Sequence, residues 1–181
     1  MGLPAREHSL ILLTGRHGAE SAQSMGSMEE SDQEASIDFR GFPARFRNLR
    51  RLFERIARRV LEDHGATSYA VSISFVDDAE ITRLNRERLN RTGPTDVIAF
   101  DLSEPGLPLD RVGDVYISKD TALANSARFR VRPEQELMRL VVHGLLHVLG
   151  YRDDRPQDAR KMKRVQARTL KEFQSFADSD E

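Results

Sequence analysis

The sequence predicts an α+β domain in which a small mixed β-sheet is packed by helices. Segments with the two-residue period of strands alternate with longer segments of helical period, in the order β-α-β-α-β-β-α-α-α. The chain of 181 residues is long enough for one domain with a real hydrophobic core. Its apolar fraction of 39% and charged fraction of 31% are typical of a globular protein.

The chain divides into one domain and two terminal tails. Residues 1–35 are rich in Gly, Ser, Ala and Glu and show no sustained period, which predicts a disordered tail. Residues 36–177 carry the periodic segments and form the single predicted domain. Residues 178–181 form a short acidic tail.

The first half of the domain alternates strands and helices. Residues 69–75 alternate apolar with small or polar side chains, as in a half-buried strand, and Pro43 opens a segment of helical spacing. Pro94 prevents the helix that starts near Asp77 from continuing beyond it. We therefore expect a strand at 36–39, a helix at 43–64, a strand at 69–75 and a helix from Asp77 or Asp78 to about Leu89.

The second half is predicted to hold two strands followed by three helices. Ser118 can cap one helix, and Pro133 can start the next, with acidic residues in its first turn. We expect strands at 95–100 and 111–118, a helix at 119–129, a central helix from Pro133 to Gly150 and a last helix at 156–176.

The helix predicted at 43–64 is rich in arginine. Two interpretations stay open, a stripe that contacts phosphates and an ordinary solvated polar face. The residues are Arg45, Arg47, Arg50, Arg51, Arg55, Arg58 and Arg59.

Charge and composition narrow the class of protein. Residues 1–36 hold two basic and six acidic side chains, a net charge of −4, which leaves +3 for the remainder of a chain whose total is −1. A mildly basic domain is compatible with nucleic-acid binding.

The absence of cysteine excludes disulfides and thiolate ligands and suits a reducing compartment. No segment approaches the length of a membrane span, so we expect a cytoplasmic protein that does not contact the membrane.

Two histidines predict a metal site at the end of the central helix. His143 and His147 interrupt an apolar stretch, and residues four apart point the same way from a helix. Burying two imidazoles without partners in an apolar stretch would cost free energy, which favours a cation shared by both rings. Gly150 supplies the residue that commonly ends a helix, and the chain beyond it can bring Asp153 back. Two nitrogens and one carboxylate leave a fourth position open, as in catalytic zinc sites.

Asp153 has two rivals for the third place. Asp154 follows it directly, and His64 is the remaining histidine of the predicted domain, because His8 and His17 lie in the acidic tail. The scarcity of histidine favours Asp153.

The spacing HxxxHxxGxxD also resembles that of the metzincin zinc proteases, HExxHxxGxxH. Those proteases carry a general-base Glu directly after the first His, where this chain has Gly144. The group that activates water in a metzincin is therefore missing. Peptide hydrolysis is disfavoured, although a zinc peptidase stays as an alternative.

Three segments together resemble the YbeY endoribonucleases, a family of metal-dependent proteins of ribosomal RNA maturation. The family pattern HGxLHLxGYDH is similar to residues 143–153, HGLLHVLGYRD. Its LN…PTDVLSF segment resembles LN at 84–85 with PTDVIAF at 94–100, and its GD(I/V)xIS strand resembles GDVYIS at 113–118. The resemblance spans about residues 36–175 with the spacing intact.

The resemblance implies one zinc ion per chain. His143 and His147 fall on the first two zinc ligands, and Asp153 falls where most members place a third His. A carboxylate oxygen binds zinc at nearly the same distance as an imidazole. Two histidines and one aspartate leave the centre with a net charge near +1 rather than +2. We expect weaker Lewis acidity and more tolerance for harder metals.

One activity-related position departs from the family. Many members carry an Arg five residues after the Leu of the LN pair, and this chain has Leu89 there, flanked by Arg88. Arg88 and Arg91 are candidates for the phosphate contact. No catalytic residue is assigned beyond them.

The resemblance implies a zinc-dependent endoribonuclease that cuts single-stranded RNA. Its implied roles are maturation of the small-subunit rRNA 3′ end and ribosome quality control, with ribosomal RNA and ribosomal particles as partners. A non-catalytic, zinc-stabilised ribosome-assembly factor is the first alternative, and the zinc peptidase is the second.

Overall fold

A computed structural model describes residues 35–106 and 108–177. The predicted order of elements is confirmed, as is the α+β class. In chain order the elements are β1 (Ser36–Arg40), α1 (Arg50–Glu62), β2 (Tyr69–Val76), α2 (Asp78–Leu89), β3 (Val97–Asp101), β4 (Arg111–Ser118), α3 (Lys119–Phe129), α4 (Pro133–Val148) and α5 (Pro156–Ala177).

The four strands form one mixed sheet in the order β1-β2-β4-β3. β1, β2 and β4 run parallel, and β3 pairs antiparallel with β4, with Val97 opposite Ile117. A helix separates β1 from β2 in the chain, as parallel neighbours require, whereas β3 and β4 are joined by a loop. The mixed sheet follows from these two kinds of connection.

Alternate side chains of the sheet face two different cores. Val97 and Val115 pack with α1 and α4, whereas Ile98 and Tyr116 pack with α2. Because strand side chains alternate between faces, α2 lies on the opposite face of the sheet from α4.

α4 is the central helix, and it lies very close to the sheet. Its side chains are buried at every position from Glu136 to Val148. A Cβ atom on Gly144 would overlap Cγ1 of Val115, and one on Gly113 would lie 2.6 Å from Cγ1 of Val148. Glycine at these two positions therefore permits the close approach that places the end of α4 against β4.

The first predicted helix starts later than expected. Pro43 is in an extended conformation, Ala44–Leu49 form a 3₁₀ helix with a non-helical Phe46, and the α-helix begins at Arg50. None of the 3₁₀ residues is buried, so packing does not enforce a continuous α-helix there.

The predicted helix starts at the other sites are confirmed. Asp77 caps α2 by accepting a hydrogen bond from the backbone N–H of Glu80 at 2.8 Å. Ser118 caps α3 in the same way through Thr121 at 3.0 Å.

The two predicted tails lie outside the described residues, apart from Ala35. Within the ranges that the structure describes, no helix is both long and apolar enough to cross a membrane.

Candidate metal centre

The last two turns of α4 place two imidazoles against each other. His143 and His147 lie four residues apart, with ring centroids 4.7 Å apart and ring planes at 80°. Their Nε2 atoms are 3.3 Å apart. Both side chains are buried, with 5% and 2% of the residue surface exposed.

The turn after α4 brings a carboxylate to the same place. Gly150 has a φ of +84°, and the N–H of Tyr151 donates to the carbonyl of Leu146 at 2.9 Å. This left-handed ending reverses the chain, as the sequence predicts. Oδ2 of Asp153 then lies 3.7 Å from Nε2 of His143 and 3.9 Å from Nε2 of His147.

The three donor atoms fit a small divalent ion. From the three separations of 3.3, 3.7 and 3.9 Å, the point equidistant from the atoms lies about 2.1 Å from each. Zinc binds imidazole nitrogen and carboxylate oxygen at about 2.0–2.2 Å. Among the described residues, this is the group of His, Asp and Glu side chains whose ligand atoms converge within 4.8 Å.

Burial keeps one of the imidazoles neutral. The pKa of His147 falls from 6.5 to about 3, mainly because burial disfavours the charged ring and further because of the charge of His143. A hydrogen bond to the backbone of Tyr151 opposes this shift, and the nearby Arg152 adds to it. At neutral pH, His147 therefore offers a lone pair to a cation.

Gln166, on the inward face of α5, orients the other imidazole. Its Oε1 lies 3.2 Å from Nδ1 of His143. An amide oxygen only accepts hydrogen bonds, so Nδ1 carries the proton and Nε2 directs its lone pair into the cluster. Gln166 is not among the site residues predicted from the sequence. The available signal was a polar side chain on the apolar side of an amphipathic helix, close to Met162 and Thr169.

The structure separates both rivals of Asp153 from the cluster. Asp154 is held by the guanidinium of Arg152, with N–O distances of 3.1 and 3.2 Å. Nδ1 of His64 lies 2.7 Å from the carbonyl oxygen of Val60, one turn earlier in α1.

The predicted phosphate contacts lie at the end of α2 and in the loop after it. Arg88 and Arg91 are both exposed. Burial raises the pKa of Tyr116, and the charge of Arg88 partly opposes that rise, so Arg88 lies near Tyr116. Tyr116 faces the α2 side of the sheet, so Arg88 is on the opposite face from α4. Contact of either arginine with phosphate stays a prediction.

The position after the first histidine faces the sheet. Gly144 lies against Val97 and Val115, and a glutamate there would need the helix to move away from β4. The metzincin general base is therefore absent from the sequence and has no space in this fold.

The first half of α4 holds a second buried cluster, which was not predicted from the sequence. Arg139 donates from Nε and Nη2 to the two carboxylate oxygens of Glu136, at 2.9 and 2.7 Å. Nη2 also lies 3.3 Å from Oδ2 of Asp96, in the segment before β3. We call these three residues the charge cluster, and His143, His147 and Asp153 the donor cluster.

Known proteins resemble this chain in sequence and in fold. A family model described as Endoribonuclease YbeY matches residues 39–174. A relative of that name from Syntrophotalea carbinolica is 40% identical over 119 residues, which cover 63% of this chain and 79% of the relative. Another from Anaeromyxobacter sp. (strain Fw109-5) is 42% identical, covering 68% of this chain and 64% of the relative. A third, from Syntrophus aciditrophicus, is 37% identical and covers 65% and 74%.

A solved structure shows the same fold. The solution structure of TM1509 from Thermotoga maritima matches with a TM-score of 0.59 and 23% sequence identity, covering 80% of this chain and 93% of that one. The family match, which spans well over half of the sequence, and the identities of the relatives agree with the three motifs and the donor cluster. This chain belongs to the Endoribonuclease YbeY family.

Proposed function

We propose that this chain is a zinc-dependent endoribonuclease that cuts single-stranded regions of ribosomal RNA. Its proposed roles are maturation of the small-subunit rRNA 3′ end and ribosome quality control, on ribosomal particles in the cytoplasm. The observation that carries the proposal is the donor cluster, whose three ligand atoms lie about 2.1 Å from one point. It belongs to a fold whose relatives are named endoribonucleases.

The donor set favours zinc. Two imidazole nitrogens and one carboxylate oxygen match the three-ligand pattern of catalytic zinc sites, and the chain has no cysteine to add a thiolate. A bound divalent ion supplies Lewis acidity to a water molecule and to a phosphoryl oxygen. Asp153 supplies the one negative charge, His147 is neutral, and Gln166 fixes the ring of His143.

Access to the donor cluster is from the side of Asp153. The side chain of Asp153 is 18% exposed, whereas those of His143 and His147 are 7% and 3% exposed. A cleft of about 320 Å³ lies at the turn between α4 and α5, and its lining includes Tyr151, Arg152 and Lys161. Lys161 can therefore attract the phosphates of a strand that enters from this side, whereas Arg152 is paired with Asp154. Arg88 and Arg91 remain proposed contacts.

The proposal is tested by metal analysis and RNA cleavage on the same purified samples. We expect wild type to carry about one zinc per chain, the number that one donor cluster can hold, and to cut a single-stranded rRNA fragment. His143→Ala should lose both properties. His64→Ala is the matched control and should keep both, because His64 lies outside the donor cluster.

Two outcomes would favour the alternatives. A zinc-loaded wild type that binds rRNA without cutting it would indicate the non-catalytic assembly factor. Hydrolysis of casein that is lost on chelation would indicate the peptidase, against the packing of Gly144.

A further inference from the structure

The outward face of α5 carries a row of cations that no acidic side chain interrupts. Residues 159–171 contain six Lys or Arg residues and no Asp or Glu. All six are exposed, and five of them fall, at about 100° per residue, within an arc of about 140°. The opposite side of the helix is buried through Met162, Thr169 and Phe173. We call the five residues the α5 basic face: Arg160, Lys163, Arg164, Arg168 and Lys171.

The arginines of α1 differ from this face because several are already paired. Arg50 binds Glu54 at 3.1 Å, and Arg59 binds Asp63 at 2.9 Å, each one helical turn away. Arg59 also lies 3.7 Å from Glu172. Such pairs are typical of a solvated polar face. They favour that interpretation of the arginine-rich helix over a phosphate-binding stripe.

The five residues of the α5 basic face have no such neighbours. Across the described residues, none of them makes an ion pair or a side-chain hydrogen bond. No acidic side chain of residues 35–106 or 108–173 neutralises their charges. The whole chain has a net charge of −1, so this row is a local concentration of positive charge on a nearly neutral molecule.

The same helix contacts the donor cluster from its other side. Gln166 lies between Arg164 and Arg168 in the chain and binds Nδ1 of His143. Lys161, at the first turns of α5, lines the cleft beside Tyr151 and lies 5.4 Å from the ring of that tyrosine. From Arg160 to Lys171 the row is about 16 Å long, at a rise of about 1.5 Å per residue. The cations thus begin at the cleft and continue past the level of the donor cluster.

We infer that the α5 basic face binds the phosphate backbone of the single-stranded RNA that enters the donor cluster. This inference rests on the proposed function. A row of Lys and Arg side chains that has no aromatic neighbours binds the phosphates of an RNA strand and does not recognise its bases. The face therefore contributes affinity and direction, and leaves the choice of cleavage site to other contacts.

The test compares two variants with the same change of charge. R160Q/R164Q/R168Q removes three unpaired cations of the α5 basic face. R50Q/R59Q/R83Q removes three arginines that each have an acidic partner four residues later, Glu54, Asp63 and Glu87. All six residues are exposed, so both variants should remain folded, which circular dichroism and the thermal midpoint verify.

The probe is a fluorescein-labelled, 2′-O-methyl oligouridylate of about 12 nucleotides, within the usual site sizes of single-strand binders. Fluorescence anisotropy gives Kd between about 50 and 200 mM salt, and the slope of log Kobs against log salt concentration counts neutralised phosphates. On a single strand, each phosphate contact adds about 0.7 to the magnitude of this slope. The α5 variant loses three contacts, so the magnitude of its slope should fall by about 2. The control variant should lower it by less than about 0.7, the value of one contact.

Every other outcome contradicts the inference and indicates a different RNA-binding surface or a different ligand of the α5 basic face. Equal loss in both variants, or no loss in either, would place the phosphate contacts outside α5 while the proposed function stands. A wild type that fails to bind the probe would also contradict the proposed function. A polyglutamate peptide that displaces the RNA as well as an equally charged RNA competitor does would assign the face to acidic proteins.

Discussion

The two halves of α4 each bury a cluster of ionisable side chains, and the clusters are completed in opposite ways. In the charge cluster, Arg139 places its donors against acceptors of Glu136 and Asp96 at 2.7–3.3 Å. Positive and negative groups meet inside the protein, which is the arrangement that buried charges require. The charge cluster can therefore be complete with protein groups alone.

The donor cluster brings groups of the same kind together. The ligand atoms of His143, His147 and Asp153 lie 3.3–3.9 Å from one another, and His147 is neutral because its pKa lies near 3. Two imidazole nitrogens and a carboxylate oxygen at these separations are the ligand set that a divalent cation binds, so a cation is the ligand that this cluster favours. Burial is similar in the two halves of the helix. The complementarity of the groups decides which half is structural and which half can hold a ligand.

The largest expected effect is the loss of zinc binding in His147→Ala. This change removes one of the three donor atoms. Loss of a residue that only hydrogen-bonds a metal ligand typically lowers the affinity by roughly 10- to 100-fold, so the loss of a ligand should lower it further. Isothermal titration with zinc measures the affinity. Stoichiometric binding at wild-type affinity would show that the donor cluster is not the site.

Breaking the charge cluster should reduce stability and leave the site intact. Arg139→Met leaves two buried carboxylates without their guanidinium and should lower the free energy of unfolding by about 3–5 kcal/mol. Urea denaturation of the zinc-free protein measures the change. Arg152→Met is the control, because the exposed pair of Arg152 with Asp154 should contribute at most about 1 kcal/mol. Equal costs in the two variants would contradict the contrast between the clusters.

Substitutions at Asp153 test the third ligand. Asp153→Ala should weaken zinc binding, whereas Asp153→His should preserve it, since imidazole nitrogen and carboxylate oxygen bind zinc at similar distances. Asp154→Ala is the adjacent control and should bind zinc like wild type, because Asp154 is held by Arg152. If calorimetry shows that zinc affinity falls in Asp154→Ala but is unchanged in Asp153→Ala, Asp154 rather than Asp153 is the third ligand.

Gln166→Ala should have a smaller effect on the same affinity. The loss of the hydrogen bond to Nδ1 frees the ring of His143 and should weaken zinc binding by about 10- to 100-fold. Gln166→Glu keeps an acceptor at this place and should retain most of the affinity. If the alanine variant binds zinc like wild type, Gln166 does not orient the ligand.

Protonation of His147 should make the stability of the zinc-free protein depend on pH. Folding lowers the pKa of His147 from 6.5 to about 3, so between these values the unfolded chain binds a proton that the native chain does not. Stability should therefore be lost as pH falls from 6.5 towards 3, with a contribution from this group of about 1.4 kcal/mol per pH unit. Urea denaturation across this range measures the slope. His147→Gln should reduce it by that amount, and an unchanged slope would contradict the burial argument.

The sequence predicts most of the frame because the relevant forces are local. Alternation, helical spacing and capping residues set the order of elements, and Asp77 and Ser118 cap helices as expected. His143, His147 and Gly150 share one helix end, so their spacing alone predicts the two imidazoles and the turn after them. The late start of α1 escaped prediction because Phe46 and Leu49 keep the spacing of an α-helix, although they lie in the 3₁₀ segment.

Local patterns in the chain predict the α+β class, the paired imidazoles and the family motifs, since each depends on residues a few positions apart. Three contacts were not predictable in this way: Asp153 rather than Asp154 faces the imidazoles, Gln166 supports His143, and Arg139 meets Asp96 across 43 positions of chain. These contacts join different elements. Their geometry depends on how α4 packs against β4 and α5, which local spacing does not encode.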